Sequence, residues 1–173
     1  MKNIRILEGD ITTARVDAIV NAANPRMLGG GGVDGAIHRA AGPKLLEACY
    51  QVEDVNGVRC PTGDARITTA GNLPSKFVIH TVGPIYGNEI NPKGLLQAAY
   101  LNSLQLARNY KCQSVAFPAI SCGAFGYPIQ EAAMVSLSIC SRQEFKELNI
   151  SFFLFGSQVT AIWQAVFDQL SSS

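Results

Sequence analysis

Short β-rich runs alternate with helical stripes along this chain, and that alternation restricts its fold more than any other feature. The strand-like runs are Ile4–Leu7, Ala18–Asn21, Ala65–Thr69, Phe77–Val82, Ser114–Ile120 and Ile150–Phe155. Helical spacing predicts helices over Asp34–Ala41, Lys44–Val55, Gly94–Tyr110, Gln130–Phe145 and Gln158–Leu170. The last is clearest, because Val159, Ile162, Trp163, Val166, Phe167 and Leu170 recur on one stripe and place Trp163 in a core. Strands separated by helices imply an α/β layered domain around a mostly parallel sheet. Ligands of such sheets gather beyond the carboxyl ends of the strands, so the loops after strands are the place to look for function.

At 173 residues the chain fits one domain with a sizeable core, spanning residues 1–173. Its 47% hydrophobic and 16% charged residues are a globular composition. A net charge of +1 supplies no long-range field to gather duplex nucleic acid or an anionic membrane. The five cysteines are scattered without a C-x-x-C pair, and with only two histidines no zinc-site spacing arises. Reduced thiols are expected for them. Met1 leads into Lys2, Asn3 and Arg5 without an apolar segment behind them, and no apolar run is long enough to span a bilayer. A cytoplasmic monomer with no membrane contact is expected.

Three loops stand out. In "VNAANPRMLGGGGVDGAIH" a strand end delivers Asn21 and Asn24, then four consecutive glycines, then a helix start. Bare N–H groups ahead of a helix N-terminus suit a phosphate, although neither G-x-x-x-x-G-K-[ST] nor G-x-G-x-x-G is present. A flexible turn with Asp34 as helix N-cap explains the same residues equally well. In "AFPAISCGAFGYPIQEAA" small, glycine-punctuated backbone again joins a strand to a helix, now with aromatics that could cover a sugar or base. Two such loops favour a diphosphate ligand. Cys122 in the second loop could be read as a nucleophile, but a Cys/His pairing would need His38 or His80 nearby, and nothing in the sequence places them so. In "EGDIT" Asp10 reads either as an Asx-turn residue or as an acceptor for an exocyclic amine, with the Ile11 backbone alongside.

Together and in this order, the loops resemble the macrodomain family, in its MacroD-type bacterial branch. The stretches that carry the resemblance are "GDIT", "VDAIVNAANPRMLGGGGVDGAIHRAAGP", "CPTGDARIT", "HTVGPIY" and "PAISCGAFGYP". The resemblance implies a three-layer α/β/α fold with a mixed, mostly parallel central sheet, and ADP-ribose as ligand. It implies hydrolysis of O-acetyl-ADP-ribose and of mono-ADP-ribose esters on acidic side chains of proteins. By position, Asp10 would accept from the adenine amine, Ile11 would add a backbone contact, and Phe155 would stack on adenine. Gly31, Gly32 and Val33 would hold the diphosphate from one side. Ser121, Cys122, Gly123, Ala124 and Phe125 would hold it from the other, with Phe125 also on the distal ribose. Asn24 and Asp34 would flank that ribose as the catalytic pair. Where the family commonly reads S-T-G-V-Y-G, this chain reads S-C-G-A-F-G, losing a hydroxyl at Cys122 and a phenol at Phe125. Gly156 and Ser157 follow Phe155 where related sequences often carry acids.

Asp34 bears on the choice between an enzyme and a non-catalytic ADP-ribose reader. A carboxylate near a diphosphate is repelled by it, which weakens binding and raises the carboxylate's proton affinity. That suits a general base and not a reader. His38, one helical turn beyond Asp34, is expected to pack at a helix–sheet junction, and His80 in "FVIHTV" to be a sheet residue. No metal and no cofactor are expected. The expected partners are ADP-ribose, its esters and mono-ADP-ribosylated proteins, with nucleic acid entering only as an ADP-ribosylated terminus.

Overall fold

The computed structural model describes all 173 residues. Six strands form one sheet: β1 (Ile4–Glu8), β2 (Ala18–Ala22), β3 (Ala65–Thr69), β4 (Phe77–Thr81), β5 (Ser114–Phe117) and β6 (Asn149–Leu154). Their order across the sheet is β1-β6-β5-β2-β4-β3. Every neighbouring pair is parallel except β3–β4 at the far edge, which is antiparallel. The helices are α1 (Gly32–Ala41), α2 (Pro43–Tyr50), α3 (Pro92–Asn109), α4 (Ile129–Cys140) and α5 (Ser157–Ser171). None is long and apolar enough to cross a membrane.

Strand periodicity divides the core between the two faces of the sheet. Ala18 and Val20 of β2, Ile79 of β4, and Ile150, Phe152 and Leu154 of β6 pack into one apolar cluster with residues of α3, α4 and α5. Trp163 of α5 lies wholly buried in it. The alternate residues, Ile19, Val78 and Ala116, join Ile37 of α1 and Leu45 and Cys49 of α2 in a second cluster. A three-layer α/β/α arrangement results.

Several boundaries differ from the sequence expectation. β5 stops at Phe117 and does not run to Ile120, because Pro118 has no N–H to continue a ladder. α2 ends at Tyr50 instead of Val55, and Val55 pairs with Val58 across Asn56-Gly57, whose φ values are 54° and 84°. That is a two-residue hairpin turn, and Asn-Gly is its strongest sequence signal. α4 ends at Cys140, with a separate 3-10 turn at Gln143–Phe145 that keeps Phe145 in the core.

Candidate functional site

Parallel pairing points the carboxyl ends of β1, β2, β5 and β6 the same way, so the loops that follow them share one edge of the sheet. The loop after β2 is held in shape by Asn24. Its Oδ1 accepts from the Met27 N–H at 3.2 Å, and its Nδ2 donates to the Gly29 carbonyl at 3.1 Å. Gly29 and Gly32 take φ values of 96° and 57°, where a side chain would be strained. Gly31 is the N-cap of α1 and offers no side chain to cap it. The amides of Gly31, Gly32 and Val33 therefore have no acceptor within the chain, and the helix dipole adds to the positive potential around them. A Cβ on Gly35 would come within 2.6 Å of the Gly30 carbonyl oxygen, so the glycine loop lies directly on the helix it precedes.

Asp34 lies inside the first turn of α1 and is not its cap. It is buried, with Oδ1 accepting from Asn21 Nδ2 at 2.8 Å. His38 Nε2 stands 3.5 Å from the same oxygen but is not in hydrogen-bonding geometry with it. The other oxygen, Oδ2, turns toward the glycine loop. A Cβ at Gly30 would meet Asp34 Oδ2 at 3.1 Å and Asn24 Nδ2 at 3.2 Å, so a carboxylate acceptor and an amide donor converge on a backbone position that a methyl group would crowd. Burial raises the Asp34 pKa, against the opposing pull of the Asn21 hydrogen bond and the nearby His38. A buried carboxylate of raised proton affinity beside unpaired amides can accept a proton next to a bound anion.

The loop after β5, the strand next to β2, turns sharply at Ser121, whose φ is 66°. Its Oγ donates to the Pro84 carbonyl at 2.8 Å, and Gly83 lies so close that a Cβ there would strike that hydroxyl. Tyr86 N–H donates to the Phe125 carbonyl at 2.9 Å, and Tyr127 N–H to the Ser121 carbonyl at 2.9 Å. The Cys122 amide is engaged by Ala119, while those of Gly123, Ala124 and Phe125 have no acceptor within the chain. This is a second cluster of free donors, with the half-buried Phe125 ring at its edge. Burial pushes the Cys122 thiol up to about 12, which leaves it un-ionised and a poor nucleophile at neutral pH.

At the β1–β6 end, the Gly9 N–H donates to the Leu154 carbonyl at 3.0 Å and brings the two strand ends together. Asp10 Oδ1 accepts from the Thr12 N–H at 2.9 Å and the Thr12 hydroxyl at 2.8 Å, and Oδ2 has no partner within the chain. The Ile11 side chain is buried while its N–H is unpaired. Just past β6, Phe155 is 90% exposed. An aromatic ring that bare at a strand end suits stacking against a planar ligand.

Sequence reasoning named Asn21 and His80 without giving either a part in the site. Asn21 Nδ2 lies 3.2 Å from His80 Nδ1, and His80 Nε2 lies 3.0 Å from Thr68 Oγ1 and 3.8 Å from Cys49 Sγ. The signal that could have found them is a polar residue in the middle of otherwise apolar strands. Their meeting follows from register: Asn21 pairs with His80 across β2 and β4, and Thr68 lies on the adjoining β3.

The Macro domain family profile matches residues 20–136. A macro domain-containing protein of Vibrio parahaemolyticus, VPA0103, is 62% identical over 169 residues, covering 98% of this chain and 99% of its own. The O-acetyl-ADP-ribose deacetylase of Citrobacter rodentium is 53% identical over 170 residues, covering 96% of each chain. Among solved structures, the Oceanobacillus iheyensis macrodomain with ADP is similar with a TM-score of 0.90 and 45% identity, over 95% of this chain and 90% of that one. Such similarity, spanning nearly the whole chain and matching it in fold, means that the chain belongs to the Macro domain family.

Proposed function

We propose that this protein is a hydrolase of ADP-ribose adducts, deacetylating O-acetyl-ADP-ribose and removing mono-ADP-ribose from acidic side chains of proteins. The observation that carries this reading is the convergence of Asp34 Oδ2 and Asn24 Nδ2 at Gly30, beside amides with no internal acceptor. The relative named as an O-acetyl-ADP-ribose deacetylase and the similar structure holding ADP supply the ligand class.

In this reading the diphosphate lies between the Gly31–Val33 amides and the loop Ser121–Phe125, where Gly123, Ala124 and Phe125 contribute the N–H groups. Adenine stacks on Phe155, its amine donating to the free Oδ2 of Asp10 and its ring meeting the Ile11 backbone. The distal ribose lies against Phe125, Asn24 and Asp34. Asn24 holds a ribose hydroxyl and so sets the angle of attack. A water between diphosphate and ribose attacks the ester; for an acetyl ester its oxygen bonds to the carbonyl carbon while Asp34 takes its proton. The bond from that carbon to the ribose oxygen then breaks, and the proton passes to the departing ribose oxygen as acetate leaves.

The test is release of acetate from O-acetyl-ADP-ribose, and of free ADP-ribose from a protein modified on Asp or Glu, by wild type and by Asp34→Ala. The variant should lose about 10²–10⁴-fold in rate, the worth of a positioned general base. Its ADP-ribose affinity by calorimetry should be unchanged or tighter, because a charge repelling the diphosphate is gone. Loss of binding in parallel with activity would show that Asp34 shapes the loop and does no chemistry.

A further inference from the structure

His80 is wholly buried, and burial lowers its pKa to about 3, so the ring is neutral and carries a single N–H. The location of that hydrogen follows from its neighbours. Asn21 turns its Nδ2 toward the Asp34 carboxylate, which can only accept, and so presents an N–H to His80 Nδ1 as well, while Thr68 Oγ1, 3.0 Å from Nε2, can direct its own hydrogen to the Thr69 carbonyl at 2.9 Å. Nε2 therefore bears the hydrogen and Nδ1 is the acceptor. Facing Nδ1 at 3.2 Å is Asn21 Nδ2, which also donates to Asp34 Oδ1 at 2.8 Å. Both amide hydrogens are thereby used, and Asn21 Oδ1 is left buried with no partner. A reversed amide would set its oxygen against a carboxylate oxygen and a ring lone pair at once. The orphaned oxygen is the lesser cost.

We propose that Thr68 and His80 are positioning residues for Asp34: a one-way hydrogen-bond chain across β3, β4 and β2 locks the Asn21 carboxamide with its N–H group on the Asp34 carboxylate. The proposal rests on the reading of Asp34 as the base. Asp34 is faced by Asn21 from β2, by His38 on its own helix, and by Cys49 of α2, whose thiol burial pushes up to about 11 and keeps neutral. His80 is faced by Thr68, Asn21 and Cys49, with Asp34 beyond Asn21, and His38 also acts on it electrostatically. The Asn21 hydrogen bond holds the proton affinity of Asp34 down, so its loss moves the acid limb of the rate profile to higher pH.

Thr68→Val preserves shape but removes the acceptor, leaving Nε2 only the Cys49 sulfur, and so frees the ring to take the other tautomer and turn Asn21 over. On O-acetyl-ADP-ribose the variant should lose about tenfold in kcat, with KM and ADP-ribose affinity unchanged and the acid limb shifted upward. Thr68→Ser should restore both rate and pH profile. In the wild-type protein, ¹⁵N NMR of His80 should show the hydrogen on Nε2, and finding it on Nδ1 overturns the proposal whether or not any variant folds. Wild-type turnover beside a folded Thr68→Val variant of unchanged kcat and acid limb overturns the positioning role alone. A wild-type protein that cleaves no ester overturns the hydrolase reading, and this one with it.

Discussion

Asp34 shows how one residue can be costly to the fold and useful to a reaction. Burial raises its pKa, so the native state holds this proton more tightly than the unfolded chain does. Whatever stability the group contributes is present below its unfolded pKa and is lost as pH rises through the higher native value. The ionised form of the carboxylate is thus a net burden on the fold. Asp34→Asn keeps an oxygen for the Asn21 N–H and removes the charge. Its Tm should exceed that of wild type at neutral pH, by about 2–4 °C for each kcal/mol relieved. The gain should vanish in acid, where wild-type Asp34 is protonated; thermal denaturation at both conditions reads this. Equal Tm differences at the two conditions would mean that charge burial is not the cause. The acid beside the glycines was visible in the sequence. Its setting was not, because Asn21 and His80 reach it from strands whose pairing no local pattern states.

At the scale of the element, the glycines around the start of α1 serve two purposes that substitution should separate. Gly31, at φ −96°, has backbone open to any residue, and a Cβ there meets nothing within 4 Å. Gly31→Ala should leave stability within about 0.5 kcal/mol of wild type yet weaken ADP-ribose binding, if a diphosphate approaches that amide. Gly35→Ala instead drives a Cβ into the Gly30 carbonyl and should destabilise by about 1–3 kcal/mol. Urea denaturation beside calorimetry distinguishes the two, and a Gly31→Ala protein of unchanged affinity would move the anion site elsewhere. Element types were legible because strand and helix periods differ. Element ends were less so: apolar content continues past Phe117, and only the missing N–H of Pro118 stops the ladder. The Asn56-Gly57 turn carries a plain sequence signal, directly after Val55, where helical spacing ends the helix.

Across the whole molecule, one strand supplies both core and rim. Phe152 is buried where the rings of Tyr100, Phe117 and Trp163 gather, whereas Phe155, three residues on, is 90% exposed. Phe152→Ala should cost about 3–5 kcal/mol of stability with its cavity. Phe155→Ala should cost almost none, while losing about 1–3 kcal/mol of ADP-ribose affinity if the ring stacks on adenine. Chemical denaturation and calorimetry of the pair check both, and a destabilised Phe155→Ala would show that ring to be structural. The sequence by itself determined the alternation of strands and helices, the apolar stripes that face the sheet, and the glycine-bearing loops that follow β2 and β5, because periodicity and backbone freedom are local properties. Only the tertiary structure decided that β1, β2, β5 and β6 end on one edge, that Asn24 and Asp34 converge at Gly30, and that Thr68, His80 and Asn21 line up beneath Asp34. Those depend on strand order and register, which are set by burying two apolar faces at once and by no short stretch of the chain.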